Sequence, residues 1–327
     1  MERYIFSGSL TQTMHDLLIN NPKFEPLDIL ESQLNRSSVQ QMINWKREGF
    51  VRFLFIDSGA FSIHTGKANT TVDAYIEYLN SIDDDIDVCA QLDTIPGKFR
   101  QDKTPEDYIE SAEKSWDNFL YMRNHLKSPD KLMPVFHFGE DIKYLDRMLS
   151  WKDETGKPLE WLGLSPANDA SKEDRMLYLR DMYNFISKSS NPNVKTHIYG
   201  FTSLEAMSKF PCYSADSITH RLQAGYGKIR SKNFGWIRMT DTISKYNIKS
   251  KMRFNDLADE YSLNLLKQEL DDLGFTIDQV AESVAARVVV NTLNIQYLTK
   301  HDFKYKKSNL ITSKKLFSLY EVVQVNV

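Results

Sequence analysis

Cysteine is nearly missing: Cys89 and Cys212 are the only two in 327 residues, far apart and each inside an apolar, strand-like stretch. Two isolated thiols exclude a disulfide framework, and without a Cys-x-x-Cys pair the common zinc-binding patterns are excluded as well. No apolar run approaches the length that spans a bilayer, and the opening residues, Met-Glu-Arg-Tyr-Ile-Phe-Ser-Gly, lack the basic and apolar regions of a signal peptide. A cytoplasmic protein with no membrane partner is expected. Low-complexity sequence is confined to the acidic run Asp83-Asp84-Asp85, so most of the chain should fold. A formal net charge of -3 offers no global attraction for a polyanion.

What is present is core-forming material, 41% hydrophobic and 12% aromatic. The length exceeds the usual domain, yet barrels of alternating strands and helices reach about 250 residues or more as one unit. Eight short apolar runs recur: Arg3 to Phe6, Val51 to Asp57, Ile86 to Asp93, Leu132 to His137, Trp161 to Ser165, Thr196 to Gly200, Cys212 to Asp216 and Phe234 to Met239. Each leads into a polar loop, and most are followed by helical periodicity, the pattern of a parallel sheet. Helix starts are readable at Thr71, Thr104-Pro-Glu-Asp, Ser171 and Ser203, where a hydroxyl can cap the first turn, and apolar residues recur at helical spacing from Gly139 to Leu149. The reading is an α/β TIM (β/α)8 barrel over residues 1–250. A C-terminal helical extension is expected over 251–327, with helices from Asn255 to Leu273 and from Thr276, in a Thr-x-x-Gln capping box, to about Leu298.

Charge is unevenly spread. Nine basic residues lie between Arg221 and Arg253, among them Lys228, Arg230, Lys232 and Arg238, against one acid, Asp241. Six lysines fall between Lys300 and Lys315, with Phe303 and Tyr305 among them. Both stretches are candidate phosphate-contacting surfaces, although for the second a solvated helix face is the preferred reading. Gly225-x-Gly227-Lys228 lacks the spacing of a phosphate loop and is read as a turn.

A barrel strand is buried, so a polar residue at its carboxyl end belongs to the rim where barrel active sites are built. Those ends carry Asp57, Asp93, His137, Ser165, Gly200 and Asp216. Carboxylates that converge in a half-buried place suit chemistry at an anomeric carbon, where one attacks and another moves a proton. His137 is a candidate proton shuttle or ligand donor, while His15, His125, His197 and His301 are read as structural. His64 and His220 lie near the two key aspartates in sequence but form no convincing metal set.

Phe55-Ile-Asp-Ser-Gly-Ala-Phe61 resembles the Asp-Ser-Gly-Gly-Phe/Tyr segment of tRNA-guanine transglycosylases, and further segments follow in the same order. These are Val88-Cys-Ala-Gln-Leu-Asp93, Trp161-Leu-Gly-Leu-Ser165, His197-Ile-Tyr-Gly-Phe-Thr202 and Tyr213-Ser-Ala-Asp-Ser217. The pattern is most similar to the phage and bacterial 7-deazaguanine DNA transglycosylases. The resemblance implies exchange of guanine in DNA for a 7-deazaguanine base such as 7-cyano-7-deazaguanine, with the host cytoplasm as the compartment of a phage-encoded enzyme. It makes Asp216 the nucleophile at C1′, Asp57 the general acid and base, and Asp93 the reader of the pyrimidine edge. Ser58 and Gly200 fall in its base-binding segments, Phe61 and Tyr199 would sandwich the base, and the Gly163 and Leu164 backbone would read it further.

There are departures from that pattern. The Cys-x-Cys-x-x-Cys…His zinc site of the tRNA enzymes is missing, so neither metal nor cofactor is expected. Ala60 and Ser62 replace a Gly and a Gln, and His137 stands near where a glutamine would bind the base. The rivals are a tRNA acceptor with the same chemistry, a retaining glycosidase, and a nucleic-acid-binding protein without activity.

Overall fold

The computed structural model describes residues 3–99, 101–167, 170–240 and 253–302. The lysine-rich stretch after Lys300 and the basic residues Lys245, Lys249 and Lys251 lie outside the described residues.

Nine strands form the main sheet: β1 (Arg3–Ser7), β2 (Leu27–Ser32), β3 (Val51–Asp57), β4 (Val88–Ala90), β5 (Leu132–Met133), β6 (Val135–His137), β7 (Trp161–Ser165), β8 (Lys195–Ile198) and β9 (Ser214–Ser217). Every pairing in it is parallel, in the order β5-β4-β3-β2-β1-β9-β8-β7-β6. The two edges, β5 and β6, are consecutive pieces of chain parted by Pro134 alone. The sheet is therefore curled into a nearly closed barrel. Proline supplies no ladder donor, but its carbonyl still accepts from the Gly163 amide at 2.8 Å.

Side chains alternate across each strand. Ile5, Leu30, Phe53, Phe55, Val88, Ala90, Met133 and Trp161 fill the barrel, with Tyr199 and Tyr213 against them. The opposite faces meet the helices in one continuous apolar core. Those helices are α1 (Gln12–Ile19), α2 (Arg36–Arg47), α3 (Ala60–His64), α4 (Val72–Ser81), α5 (Pro105–His125), α6 (Ile142–Ser150), α7 (Lys172–Ile186), α8 (Leu204–Lys209) and α9 (Thr219–Gly225). The caps read from the sequence are present at Thr71, Thr104 and Ser171, and Thr104 and Asp107 form a reciprocal capping box.

Two strand assignments need correction. Leu27–Ser32 is a central strand, although its acids at 28 and 31 disguise it. Asp28 is 2% exposed and neutralised by Arg3 and Arg52, and Glu31 accepts from Ser9, Ser38 and Asn35. Residues Phe234 to Met239, in turn, do not join the barrel. They contribute β11 (Gly235–Arg238), which pairs antiparallel with β10 (Lys228–Ser231) as a separate hairpin. The two errors cancel in number.

The C-terminal helices are also more divided than the periodicity implies: α10 (Phe254–Leu257), α11 (Glu260–Asp271), α12 (Ile277–Glu282) and α13 (Val284–His301). The breaks fall at Asp259 and Ser283, whose side chains cap the helices that follow by accepting from Ser262 N and Ala286 N. Helix α13 is buried along most of its length and packs against α9, β10 and α1. Its core is continuous with that of the sheet.

Candidate active site

Period-two alternation decides which polar residues reach the barrel mouth. In β3, Phe53 and Phe55 point inward and Asp57 follows them. Tyr199 follows His197 just past β8, and Asp216 follows Ser214 in β9. These residues meet at one end.

Asp216 is 7% exposed and accepts three hydrogen bonds. Ser7 Oγ donates to its Oδ2, the Gly200 amide to its Oδ1 at 2.9 Å, and His197 Nε2 lies 3.2 Å from the same Oδ1. The second His197 nitrogen is 2.9 Å from Ser214 Oγ, which fixes the ring plane. His197, read as structural, is fully buried and its two ring contacts hold it against the Asp216 carboxylate. The His197/Tyr199 alternation at a strand end was the signal for it. Ser7 carried no comparable signal.

Asp57 sits across the mouth in a different environment. Burial, and after it the charge of Asp93 and then that of Asp216, push its pKa up to about 7 against the pull of the Gly59 and Ser58 amides. Gly59 donates to Asp57 Oδ2 at 2.9 Å, a turn that holds Gly59 at φ 78, where a side chain is disfavoured. Ser58, fully buried, donates through Oγ to Asp93 Oδ1 at 3.0 Å. The other oxygen of Asp93 is 2.9 Å from His137 Nε2. The contact is an ion pair when the imidazole is protonated. Burial lowers the His137 pKa, but Asp93 and Glu140 more than reverse this, so the net shift is upward. Glu140 also accepts from the His137 amide at 3.0 Å and went unnoticed in the sequence.

Tyr199 lies in the field of all three aspartates, and burial with their charges raises its pKa well above normal. Its hydroxyl is buried and unpartnered. The ring also explains Gly163, since a Cβ there would come within 2.8 Å of Tyr199 Cε2. The Gly163 amide donates to the Pro134 carbonyl, and the Leu164 carbonyl accepts from the Tyr199 amide. Gln91 is a further residue that sequence reading missed, fully buried with neither side-chain amide atom partnered.

Beside this group lies a cavity of about 380 Å³, within the usual small-molecule range. Phe61, His64, Phe99, Lys103, His137 and Phe138 are among its walls. It meets the aspartates through His137; the carboxylates themselves do not line it. Phe61 is 51% exposed and faces Phe99 edge-on, while Tyr199 packs against Phe55 and His197. Phe61 is among the cavity's lining residues and Tyr199 is not. Among the described residues no three His, Cys, Asp or Glu converge as a metal set. His220 is buried edge-on to Phe6, with burial pushing its pKa down to about 3.

The basic stretch resolves into parts. In the hairpin, Lys228, Arg230, Trp236 and Arg238 share one face, and Ile229 and Ile237 are buried on the other. Lys232 turns away to stack on Tyr297 at 4.8 Å. Arg221 in α9 reaches toward Gly8 at the end of β1.

A scan against protein-family models finds no match for this chain, and a search of the curated proteins finds none either.

Proposed function

We propose that the chain is a (β/α)8-barrel DNA-guanine transglycosylase, β5 and β6 counting as one strand interrupted at Pro134, that exchanges guanine for a 7-deazaguanine base. One observation carries this reading: two carboxyls at one barrel mouth whose environments differ in kind. Asp216 is wrapped in donors that fix its oxygens, whereas Asp57 is desolvated and crowded by charge until its pKa is about 7. Such a divided pair suits a nucleophile and a proton handler.

In the first step an Asp216 oxygen forms a bond to C1′ as the C1′–N9 bond breaks, and Asp57 hands its proton to the departing guanine. In the second, Asp57 takes a proton from the incoming base, whose nitrogen displaces Asp216. His197, Ser7 and Gly200 aim the nucleophile. Asp93, set by Ser58 and His137, offers acceptors to the donor edge of a flipped base, and Phe61 at the cavity lip offers it an aromatic face. A glycosidase is less well supported, because Trp116 and Trp161 are core residues rather than rim platforms for sugar.

The test is incorporation of labelled 7-cyano-7-deazaguanine into guanine-containing duplex DNA, single-stranded DNA and tRNA. DNA is the expected acceptor, and both Asp216→Ala and Asp216→Asn should abolish exchange while DNA binding persists. Undiminished incorporation by either variant overturns the assignment, and preference for tRNA moves the substrate but not the chemistry.

A further inference from the structure

A second cavity on this rim, of about 350 Å³, is walled by Tyr4, Lys172, Thr202, Thr219, Arg230 and Trp236 among others. Thr202 follows β8 and Thr219 follows β9, so it opens where the carboxyl ends of those two strands meet the basic face of the hairpin. Tyr4 links it to the site above: its hydroxyl donates to Thr202 Oγ1 at 3.3 Å, and the charges of Asp216 and Arg230 both act on it. No carboxylate is among the described wall residues.

Arg230 is the unusual member. Its main chain is committed, the amide to Asn291 and the carbonyl to Asn294, but its guanidinium is half-buried and its Nε hydrogen meets no acceptor. The guanidinium carbon lies 6.0 Å from the centre of the Trp236 ring. A partly desolvated cationic donor without an acceptor costs free energy, and an anion oxygen recovers it through a charge-assisted bond. Thr202 and Thr219 add hydroxyls, and Lys172 a second cation at the opening. In barrel enzymes the loops after the last two strands are a frequent place for a phosphate.

We propose that this cavity is an oxyanion subsite for a phosphodiester of the nucleic acid, the one adjoining the nucleotide whose C1′ Asp216 attacks. The anion chemistry stands on the cavity itself. Its assignment to a nucleic-acid backbone rests on the base-exchange reading.

The experiment measures binding of a single-stranded oligonucleotide by fluorescence anisotropy across a salt series, for the wild type, Arg230→Gln, Arg230→Lys and Lys172→Gln. Inorganic phosphate serves as competitor, and guanine exchange is followed in the same preparations. Arg230→Gln should weaken binding about 10-fold and flatten the slope of log affinity against log salt by about 0.7, the value for one phosphate contact on a single strand. Arg230→Lys should keep the slope and lose part of the affinity. Thermal melting checks folding; if Arg230→Gln is unstable, Lys172→Gln should still flatten the slope.

Unchanged affinity and slope in a folded Arg230→Gln that accompanies an active wild type overturns the subsite while base exchange stands. Arg230-dependent binding in an inactive wild type supports the subsite and counts against base exchange. Phosphate that binds through Arg230 without displacing the oligonucleotide overturns the phosphodiester assignment.

Discussion

At Asp57 two backbone amides pull the carboxyl toward ionisation, and burial with two neighbouring aspartates pushes harder the other way. The outcome has a sign that can be checked twice. In the folded protein the group titrates at about 7, against about 3.9 in an unfolded chain, so its ionisation opposes folding. Its favourable contribution is complete below pH 4, shrinks as pH rises through 7 and is then lost. Asp57→Asn should melt with the wild type at pH 4 and above it at pH 8, by an upper limit of about 4 kcal/mol. Thermal unfolding across that range measures the gap, and a gap that does not widen with pH removes the shifted carboxyl from the account. The same proton serves the chemistry, so single-turnover guanine release should fall as pH rises through 7. Asp57→Asn should flatten that profile and slow release by about 10²–10⁴-fold. The sequence made Asp57, Asp93 and Asp216 legible because a carboxylate ending an apolar strand violates the strand's own pattern. It hid Ser7 and Gln91, since small or neutral polar residues at strand ends violate nothing.

The elements were readable in proportion to how far their pattern was undisturbed. Helix α5 announced itself through Thr104, Pro105 and Asp107, whose contacts are local. Strand β2 did not, because Asp28 is paired with Arg3 and Arg52 and Glu31 accepts from Ser9 and Ser38, partners that only the tertiary fold brings near. The hairpin was mistaken for a barrel strand for a related reason: alternation reports one buried face but not what it is buried against. What holds it is Glu269 in α11, which is 4% exposed and accepts from Ser231 Oγ, Lys232 N, Asn233 Nδ2 and Asn294 Nδ2. Glu269→Ala should cost about 3–5 kcal/mol by leaving several buried donors unmet. Urea unfolding measures it. A cost below 1 kcal/mol would mean that the hairpin is held instead by Ile229, Ile237 and the Asn291 and Asn294 side chains of α13.

Over the whole molecule, the ladder around the barrel is uneven. Strands β2 and β3 share six registered pairs, whereas β4 and β5 share two, and Pro134 then interrupts the chain. Amides of β5 and β6 should therefore exchange hydrogen sooner than those of β3, in a native-state exchange experiment read strand by strand. Equal protection around the ring would refute this. The sequence showed Pro134 inside an apolar run, but not that the run would lie where the sheet's edges meet. In mechanical terms the barrel is a hoop joined at Pro134, and His137 stands three residues from that joint. Load placed on His137 by a bound molecule should be relieved first at that joint, whereas Asp57 and Asp216 sit on strands paired on both sides.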